Sequence, residues 1–128
     1  MKVHRKCFLS MSGQKTFHQA ADDCIEHGGV LAAPGDREEN DALHEYAVRT
    51  VGREHEVWLG ITDITAEGSW ADVSGVTVNF TNWETEITQQ PDGGTRVNCV
   101  VMTGLAIGKW FDESCRLRKN YFCQYNIP

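Results

Sequence analysis

The sequence predicts an α+β fold, with helices in the first half of the chain and strands in the second. Three observations support this prediction. Apolar residues repeat at helical spacing before residue 52, strand-like apolar runs follow after residue 55, and five cysteines indicate disulfides. A chain of 128 residues is long enough for its own core, so we expect residues 1–128 to form a single domain.

The first half is predicted to contain one strand and two helices. The strand candidate is KCFLS at 6–10. Thr16 and Gln19 have the spacing of a capping box, which predicts that the first helix begins there, and Gly28 lies where that helix is expected to end. The second helix is predicted at about 37–51, because four apolar residues of this range fall on one helical face.

The second half is predicted to contain strands separated by loops rich in glycine, aspartate and asparagine. β-branched and aromatic runs predict strands at 56–61, 75–80, 99–103 and 120–127. The stretch 81–98 shows little regular patterning. A loop of that length in a compact domain usually binds a ligand or is held by specific contacts, so we expect it to be functional.

The composition excludes several classes of function. A net charge of −6 and an isoelectric point near 5.3 argue against binding of nucleic acid. The apolar runs are too short for a membrane span or for the apolar core of a signal peptide. No nucleophile, base and orienting group can be placed together, so we predict that the chain is not an enzyme.

Cysteines and a glycosylation motif indicate an extracellular, secreted chain. None of the five cysteines forms a C-x-x-C pair, which argues against zinc ribbons and redox motifs and favours disulfides. Counting does not say which cysteines pair, and an odd number leaves one without a partner in the chain. Asn79 begins an Asn-Phe-Thr motif, which predicts N-glycosylation.

Several short motifs occur together in the order typical of one family. They are Cys24 in the first predicted helix, WLGI at 58–61, QPD at 90–92, Cys99, KWFDESC at 109–115 and Cys123. Over essentially the whole chain they resemble the C-type lectin-like domain, and NWETEITQQPDGG at 82–94 resembles the tetranectin group of that family. The resemblance implies a C-type lectin-like fold, in which two helices pack on small antiparallel sheets with a long irregular ligand loop and two disulfides.

The same resemblance implies a cysteine pairing and an oligomeric state. The implied disulfides are Cys24–Cys123 and Cys99–Cys115. Cys7 is left unpaired, because family members that pair this position use a cysteine shortly upstream. The tetranectin group also carries an upstream trimerising segment that this sequence lacks. We therefore expect this fragment to be monomeric and a longer parent protein to be trimeric.

The resemblance also implies calcium binding on the long loop. Ca²⁺ takes about six to eight oxygen ligands. The family's sugar-binding calcium site maps onto Gln90, Asp92, Val97, position 111 and Asp112. A neighbouring site of the tetranectin group maps onto Asp63, Glu67, the carbonyl of Gly94, Val97 and Asn98.

Two positions depart from the family pattern. Val97 stands where the family carries a glutamate that serves both sites, and Phe111 stands where sugar-binding members have an asparagine ligand. We therefore expect calcium to bind weakly, partially or not at all. The neighbouring site is better preserved in its remaining residues than the degraded sugar-type site of Gln90, Asp92 and Asp112. A weaker ion also predicts that the Gln90–Pro91 bond is trans or mixed, with a mobile or rearranged loop.

The predicted function is recognition of a protein ligand, for which the tetranectin group offers a lysine-binding kringle domain of plasminogen as the example. The candidate ligand-binding residues are Gln90, Asp92, Thr95, Arg96, Val97 and Asp112. Thr95 and Val97 replace the lysine and the glutamate that are usual in that contact. The departures fit natural divergence of the sequence as well as its redesign for a new target.

Two other functions stay open at this point. One is a calcium-dependent carbohydrate-binding lectin domain, since Gln-Pro-Asp at 90–92 accompanies galactose-type ligands in sugar-binding relatives. The other is an adhesion module that binds heparin, matrix or another sulfated polysaccharide through a set of cations. These cations are Lys2, Arg5, Lys6, Arg116, Arg118 and Lys119.

Overall fold

The computed structural model describes residues 1–86, 88, 90–91 and 97–128. The helices are α1 (Phe17–Glu26) and α2 (Arg37–Thr50). The strands are β1 (Lys2–Val3), β2 (Lys6–Ser10), β3 (Val30–Leu31), β4 (Glu56–Thr62), β5 (Ala71–Asp72), β6 (Cys99–Thr103), β7 (Lys109–Glu113) and β8 (Asn120–Asn126). No helix in these ranges is both long and apolar enough to cross a bilayer.

The strands join in a mostly antiparallel sheet with the order β1-β2-β8-β4-β6-β7. β3 pairs with β8, and β5 pairs with β4. The pairing of β4 with β8 is parallel, with Trp58 opposite Tyr121. This contact places the last strand of the chain in the middle of the sheet, so both ends of the sequence contribute to the core.

Two neighbouring inner strands, β4 and β6, are buried on both faces. Side chains alternate along a strand, so Val57 and Leu59 lie on the face that also holds Leu43 of α2. Trp58 lies on the opposite face and packs edge-to-face against Phe17 of α1, with ring centroids 5.9 Å apart. The helices therefore cover opposite faces of the sheet, which explains why β4 and β6 are apolar at nearly every position.

Both helices begin at polar side chains that accept hydrogen bonds from the first turn. The predicted capping box is confirmed, because Gln19 N donates to Thr16 Oγ1 and Thr16 N donates to Gln19 Oε1. At α2, Glu39 N donates to Asp36 Oδ1 over 2.8 Å. Helix α1 ends before Gly28, which has φ 86° and supplies the left-handed residue that commonly follows a helix.

The predicted strand at 75–80 is wrong. Asp72 instead forms a side-chain turn, in which its Oδ1 accepts hydrogen bonds from the backbone of Ser74 and Val76. Gly75 lies within this turn at φ 88°. A side chain that satisfies nearby backbone groups competes with strand pairing, and only Thr77 of the range makes a bridge, to Ala71.

Strand β7 was not among the predicted strands. Its residues pair with β6 in register, and Trp110 lies opposite Met102. Two of its five residues, Trp110 and Phe111, are consecutive aromatics, so the sequence does not alternate between apolar and polar residues as a half-buried strand would. Periodicity alone therefore indicates no strand here.

The predicted disulfides are confirmed. Cys24 is bonded to Cys123 and joins α1 to β8, and Cys99 is bonded to Cys115 at the end of the long loop. Cys7 is a half-buried free thiol in β2.

Candidate functional site

The long loop is attached to the scaffold through a buried polar network at its start. Asn82 donates a hydrogen bond from Nδ2 to the carbonyl of Gly108, and its own carbonyl accepts one from Trp110 N. Asn40 of α2 binds the same Gly108 carbonyl and accepts a hydrogen bond from Trp110 Nε1 over 2.7 Å. Two asparagines thus connect α2, β7 and the loop, and they determine where the loop leaves the domain.

Glu84 organises the first half of the loop. Its side chain is buried, with Oε1 accepting hydrogen bonds from Thr88 N and Thr88 Oγ1 and Oε2 accepting one from Glu86 N. A carboxylate that satisfies loop backbone in this way takes the place of a strand partner. Glu84 was not among the predicted site residues; the available signal was an acid directly after Trp83 in a polar loop.

Gln90 and Asp112, two residues of the predicted sugar-type site, lie together. Gln90 Oε1 accepts a hydrogen bond from Asp112 N over 3.2 Å, and Gln90 Nε2 donates to Thr88 Oγ1 over 3.0 Å. Both residues are buried, at 8% and 6% exposure. The Gln90–Pro91 bond is cis, not trans, and a mixture of isomers stays a prediction.

Asp63 and Asn98, two residues of the neighbouring site, are joined through their backbones. Asp63 N donates to the Asn98 carbonyl over 3.1 Å, which fixes the end of β4 beside the start of β6. The residue Asp63 is only 2% exposed, so its carboxylate is buried. Its Oδ2 accepts a hydrogen bond from Gly68 N, whereas its buried Oδ1 has no hydrogen-bond partner among the residues that the structure describes.

Glu67 completes an acidic cluster with Asp63 and Asp112. The Asp63 carboxyl, within hydrogen-bonding reach, raises the pKa of Glu67. Loss of solvent and the charge of Asp112 raise this pKa further. Ionised carboxylates have no donor to share, so this arrangement favours a bound proton or a bound cation.

The oxygen ligands among the described residues suit a hard cation, but they are few. Asp63 Oδ1, the Glu67 carboxylate and Asn98 offer oxygen ligands, which are those that Ca²⁺ prefers. Val97 precedes Asn98 and contributes no side-chain oxygen. The predicted site residues Asp92, Gly94, Thr95 and Arg96 lie outside the described residues. The predicted mobility or rearrangement of the loop falls largely on the same stretch.

A groove lies beside the long loop, between its first half and the β6–β7 turn. Its volume is about 530 Å³. Leu105 and Ile107 of the turn are 65% and 77% exposed on its edge, and Phe111 contributes to its floor. Ile107 has φ 55°, a left-handed backbone that is rare for a β-branched residue.

The predicted cation set is partly neutralised by acidic neighbours. Lys6 Nζ lies 2.7 Å from Glu39 Oε1, and Lys119 pairs with Glu56. Lys2, Arg5, Arg116 and Arg118 are exposed. Asn79 of the glycosylation motif is exposed as well, so its side chain is accessible.

Comparisons with known proteins agree with this architecture. The family model of the lectin C-type domain matches residues 13–125. Tetranectin of Homo sapiens is 54% identical over 126 residues, which are 98% of this chain and 62% of that protein. C-type lectin domain family 3 member A of Homo sapiens is 45% identical over 127 residues, which are 99% of this chain and 63% of that protein. The solved carbohydrate-recognition domain of mouse scavenger receptor C-type lectin has a TM-score of 0.85 at 26% identity, covering 100% of this chain and 95% of that one.

These matches establish the family while leaving part of the relatives unmatched. The chain spans about 62% of the length of the tetranectins that it matches. The matched domain is a lectin domain, which is a binding module and not an enzyme. The predicted α+β C-type lectin-like fold is confirmed by the same matches. The chain therefore belongs to the C-type lectin domain family, and within it resembles tetranectin and C-type lectin domain family 3 member A.

Proposed function

We propose that residues 1–128 form one extracellular, secreted binding module of tetranectin type, which recognises a protein ligand and binds calcium weakly. The observation that carries the proposal is the groove with Leu105 and Ile107 exposed at its edge. Exposed aliphatic side chains grouped beside a polar loop are typical of protein–protein contact surfaces. Sugar-binding sites, in contrast, depend on polar groups that bind hydroxyls.

The backbone of Ile107 supports a binding role for this edge. A left-handed conformation is unfavourable for a β-branched residue, and glycine or asparagine adopts it at lower cost. An isoleucine that is also 77% exposed gains little from core packing in return. A strained, exposed apolar residue is therefore best explained by contact with a partner.

Charged side chains of both signs also line the groove. They are Arg37, Asp41, Glu86 and Lys109. Protein interfaces commonly combine apolar contacts with charged side chains around them. Gln90 and Asp112 are buried, so a kringle-like ligand meets the groove edge first and reaches these two residues only after a local rearrangement.

Calcium has a supporting role in the proposal. The ion would be held by Asp63, Glu67 and Asn98, with the carbonyl of Gly94 as a further ligand, and it would neutralise the acidic cluster beside the loop. The buried Oδ1 of Asp63, which has no hydrogen-bond partner in the described part of the chain, supports this assignment. Val97 supplies no bridging carboxylate, so the site of Gln90, Asp92 and Asp112 has too few ligands for tight binding.

A variant pair tests the proposed protein-binding surface. The probe is a lysine-binding kringle domain of plasminogen, and surface plasmon resonance measures its affinity for the chain. Ile107→Asn relieves the backbone strain and removes the apolar contact, so we expect binding to weaken about tenfold, the equivalent of ~1.4 kcal/mol. Val76→Thr alters a side chain that is 61% exposed outside the groove, and it serves as the control.

The outcome separates the proposed function from its alternatives. Equal loss of kringle binding in both variants, or none in either, contradicts the assigned surface. Calcium-dependent binding to a galactose-bearing glycan array supports the carbohydrate alternative. Salt-sensitive retention on heparin that is lost in an Arg116→Ala/Arg118→Ala variant supports the sulfated-polysaccharide alternative. Mass spectrometry of protein from eukaryotic cells tests glycosylation of Asn79.

A further inference from the structure

A histidine and three carboxylates meet where the β1–β2 turn touches helix α2. His4 lies in the turn with φ 51°, a left-handed backbone that is uncommon outside glycine. Its ring reaches the first turn of α2, where it contacts Asp36, Glu38 and Glu39. This cluster is far in sequence from the long loop and has no part in the proposed calcium site.

One ring nitrogen of His4 faces two carboxylate oxygens. Nδ1 lies 3.2 Å from Glu39 Oε2 and 3.5 Å from Asp36 Oδ2. The three ligand atoms of His4, Asp36 and Glu39 all lie within 4.8 Å of one another. They therefore converge on one small volume rather than forming separate contacts.

Each carboxylate is oriented by hydrogen bonds to its other oxygen. Asp36 Oδ1 accepts the bond from Glu39 N that caps α2, which leaves Oδ2 directed at His4. Glu39 Oε1 accepts from Gly35 N over 2.8 Å and from Lys6 Nζ over 2.7 Å, which leaves Oε2 directed at His4. Ligands of metal sites are commonly held in this way by a surrounding layer of hydrogen bonds.

The second ring nitrogen of His4 has its own carboxylate. Nε2 lies 3.0 Å from Glu38 Oε2, and Nδ1 is hydrogen-bonded to Glu39 Oε2 over 3.2 Å. When a metal ion takes the place of the proton at Nδ1, the imidazole still donates Nε2–H to Glu38. A carboxylate–histidine pair of this kind fixes the tautomer and increases the basicity of the ligating nitrogen.

The two separations from Nδ1, 3.2 and 3.5 Å, are close to those of tetrahedral zinc ligands. Zinc bonds of about 2.0–2.2 Å to nitrogen and oxygen place neighbouring tetrahedral ligands about 3.3–3.6 Å apart. Ca²⁺ prefers an all-oxygen shell, which the imidazole does not provide. We propose that His4 Nδ1, Asp36 Oδ2 and Glu39 Oε2 bind one Zn²⁺, with Glu38 holding the ring of His4 and water completing the coordination.

The local charge agrees with a divalent cation. With His4 neutral, as it is when bound to a metal, three carboxylates and the ammonium of Lys6 leave a net charge of two negative units, which one Zn²⁺ neutralises. His4 is 39% and Asp36 50% exposed at their side chains, so an ion from solvent can reach them. Glu39 is buried, at 9% side-chain exposure, and anchors the site to the scaffold.

Calorimetric titration of zinc chloride into the 128-residue chain tests the proposal. A Cys7→Ser background removes the free thiol as a competing ligand, and excess calcium chloride occupies the oxygen sites near the long loop. We expect one zinc ion per chain. His4→Asn and Asp36→Asn should each weaken zinc binding about tenfold or more, because each removes one of three protein ligands. Asparagine at position 36 still caps α2, so this variant keeps the helix intact.

His27→Asn is the matched control, since His27 also lies beside a carboxylate, Asp23, at 3.3 Å. Its zinc affinity should equal that of the background protein. Nitrogen-15 shifts of the His4 ring should show metal bound at Nδ1 and a proton at Nε2. Absence of saturable binding up to about 100 µM zinc overturns the proposal, as does an unchanged affinity in His4→Asn. Circular dichroism without zinc verifies that each variant is folded.

Discussion

The β4–β6 pair and the long loop adjoin each other in space, yet they satisfy their polar groups in opposite ways. In β4 and β6 the backbone groups pair in a ladder, and side chains such as Trp58 and Met102 fill the core on either face. In the described parts of 81–98, side chains of Glu84 and Gln90 accept hydrogen bonds from backbone groups instead.

This difference explains how the family fold persists while ligand groups change. Strand pairing depends on backbone hydrogen bonds, which most substitutions leave intact. A loop held by individual side chains loses hydrogen bonds whenever one of those side chains is substituted. Val97 illustrates the second case, because one residue removes a ligand expected in both calcium sites without disturbing the adjoining strand β6. Stability and ligand binding should therefore respond to different substitutions.

The largest predicted effect separates the two disulfides. The disulfide Cys24–Cys123 closes a loop between residues 99 positions apart. Replacing both cysteines with alanine removes this constraint on the unfolded chain and should lower the unfolding free energy by about 4–5 kcal/mol in the chain-entropy account. The disulfide Cys99–Cys115 closes a shorter loop, between residues 16 positions apart, and its replacement should lower the unfolding free energy by about 3 kcal/mol. Urea unfolding measures both; equal losses would contradict this ranking.

The next effect concerns close packing of the scaffold. A Cβ at Gly60 would lie 2.4 Å from the carbonyl oxygen of Leu31, so Gly60→Ala must displace β3 from β4. We expect a loss of about 1–3 kcal/mol by thermal or urea unfolding. Gly35→Ala is the control, since its nearest contact is 3.4 Å away and belongs to a side chain. A neutral Gly60→Ala would show that the strands separate more easily than their packing indicates.

A smaller effect is expected when the loop loses its organising carboxylate. Glu84→Gln removes one acceptor oxygen and should cost about 1 kcal/mol globally. Amide exchange at Glu86 or at Thr88, whichever amide loses its acceptor, should accelerate about fivefold, because ~1 kcal/mol corresponds to roughly that factor. Glu86→Gln alters an exposed acid and is the control. Unchanged exchange in Glu84→Gln would mean that other contacts hold the loop.

The smallest effect is expected at exposed cations outside both regions. Arg118→Ala should change the unfolding free energy by less than about 0.5 kcal/mol, because an exposed side chain away from caps and networks contributes little. Urea unfolding measures this directly. A larger loss would place Arg118 in a structural contact rather than on a free surface.

Sequence reasoning predicted the scaffold better than the loop for a physical reason. Helices α1 and α2 and strands β2, β4, β6 and β8 follow from short-range periodicity and capping. The strand predicted at 75–80 was wrong, since periodicity does not register that Asp72 can bind the backbone ahead of it. β7 was missed because its partner β6, not its own pattern, makes it a strand.

The predicted site residues came from the family resemblance, and their role in binding stays a prediction. Asp63 and Asn98 lie together as that resemblance implies, and Gln90 lies beside Asp112. The role of Glu84 and the approach of His4 to α2 depend on contacts that neither spacing nor motif encodes. Calcium binding beside Asp63 and Asn98 stays a prediction.

A calcium titration of thermal stability tests the central claim, which is that an intact scaffold carries a partly degraded calcium site. A ligand that binds only the folded state raises the melting temperature. We expect one weak ion, with a half-maximal response at about 1 mM, no response in Asp63→Asn, and a response at least about tenfold stronger in Val97→Glu. Two contradictory results are possible for the unsubstituted chain. One is that two ions raise the melting temperature at micromolar calcium, and the other is that the melting temperature does not change up to about 5 mM calcium.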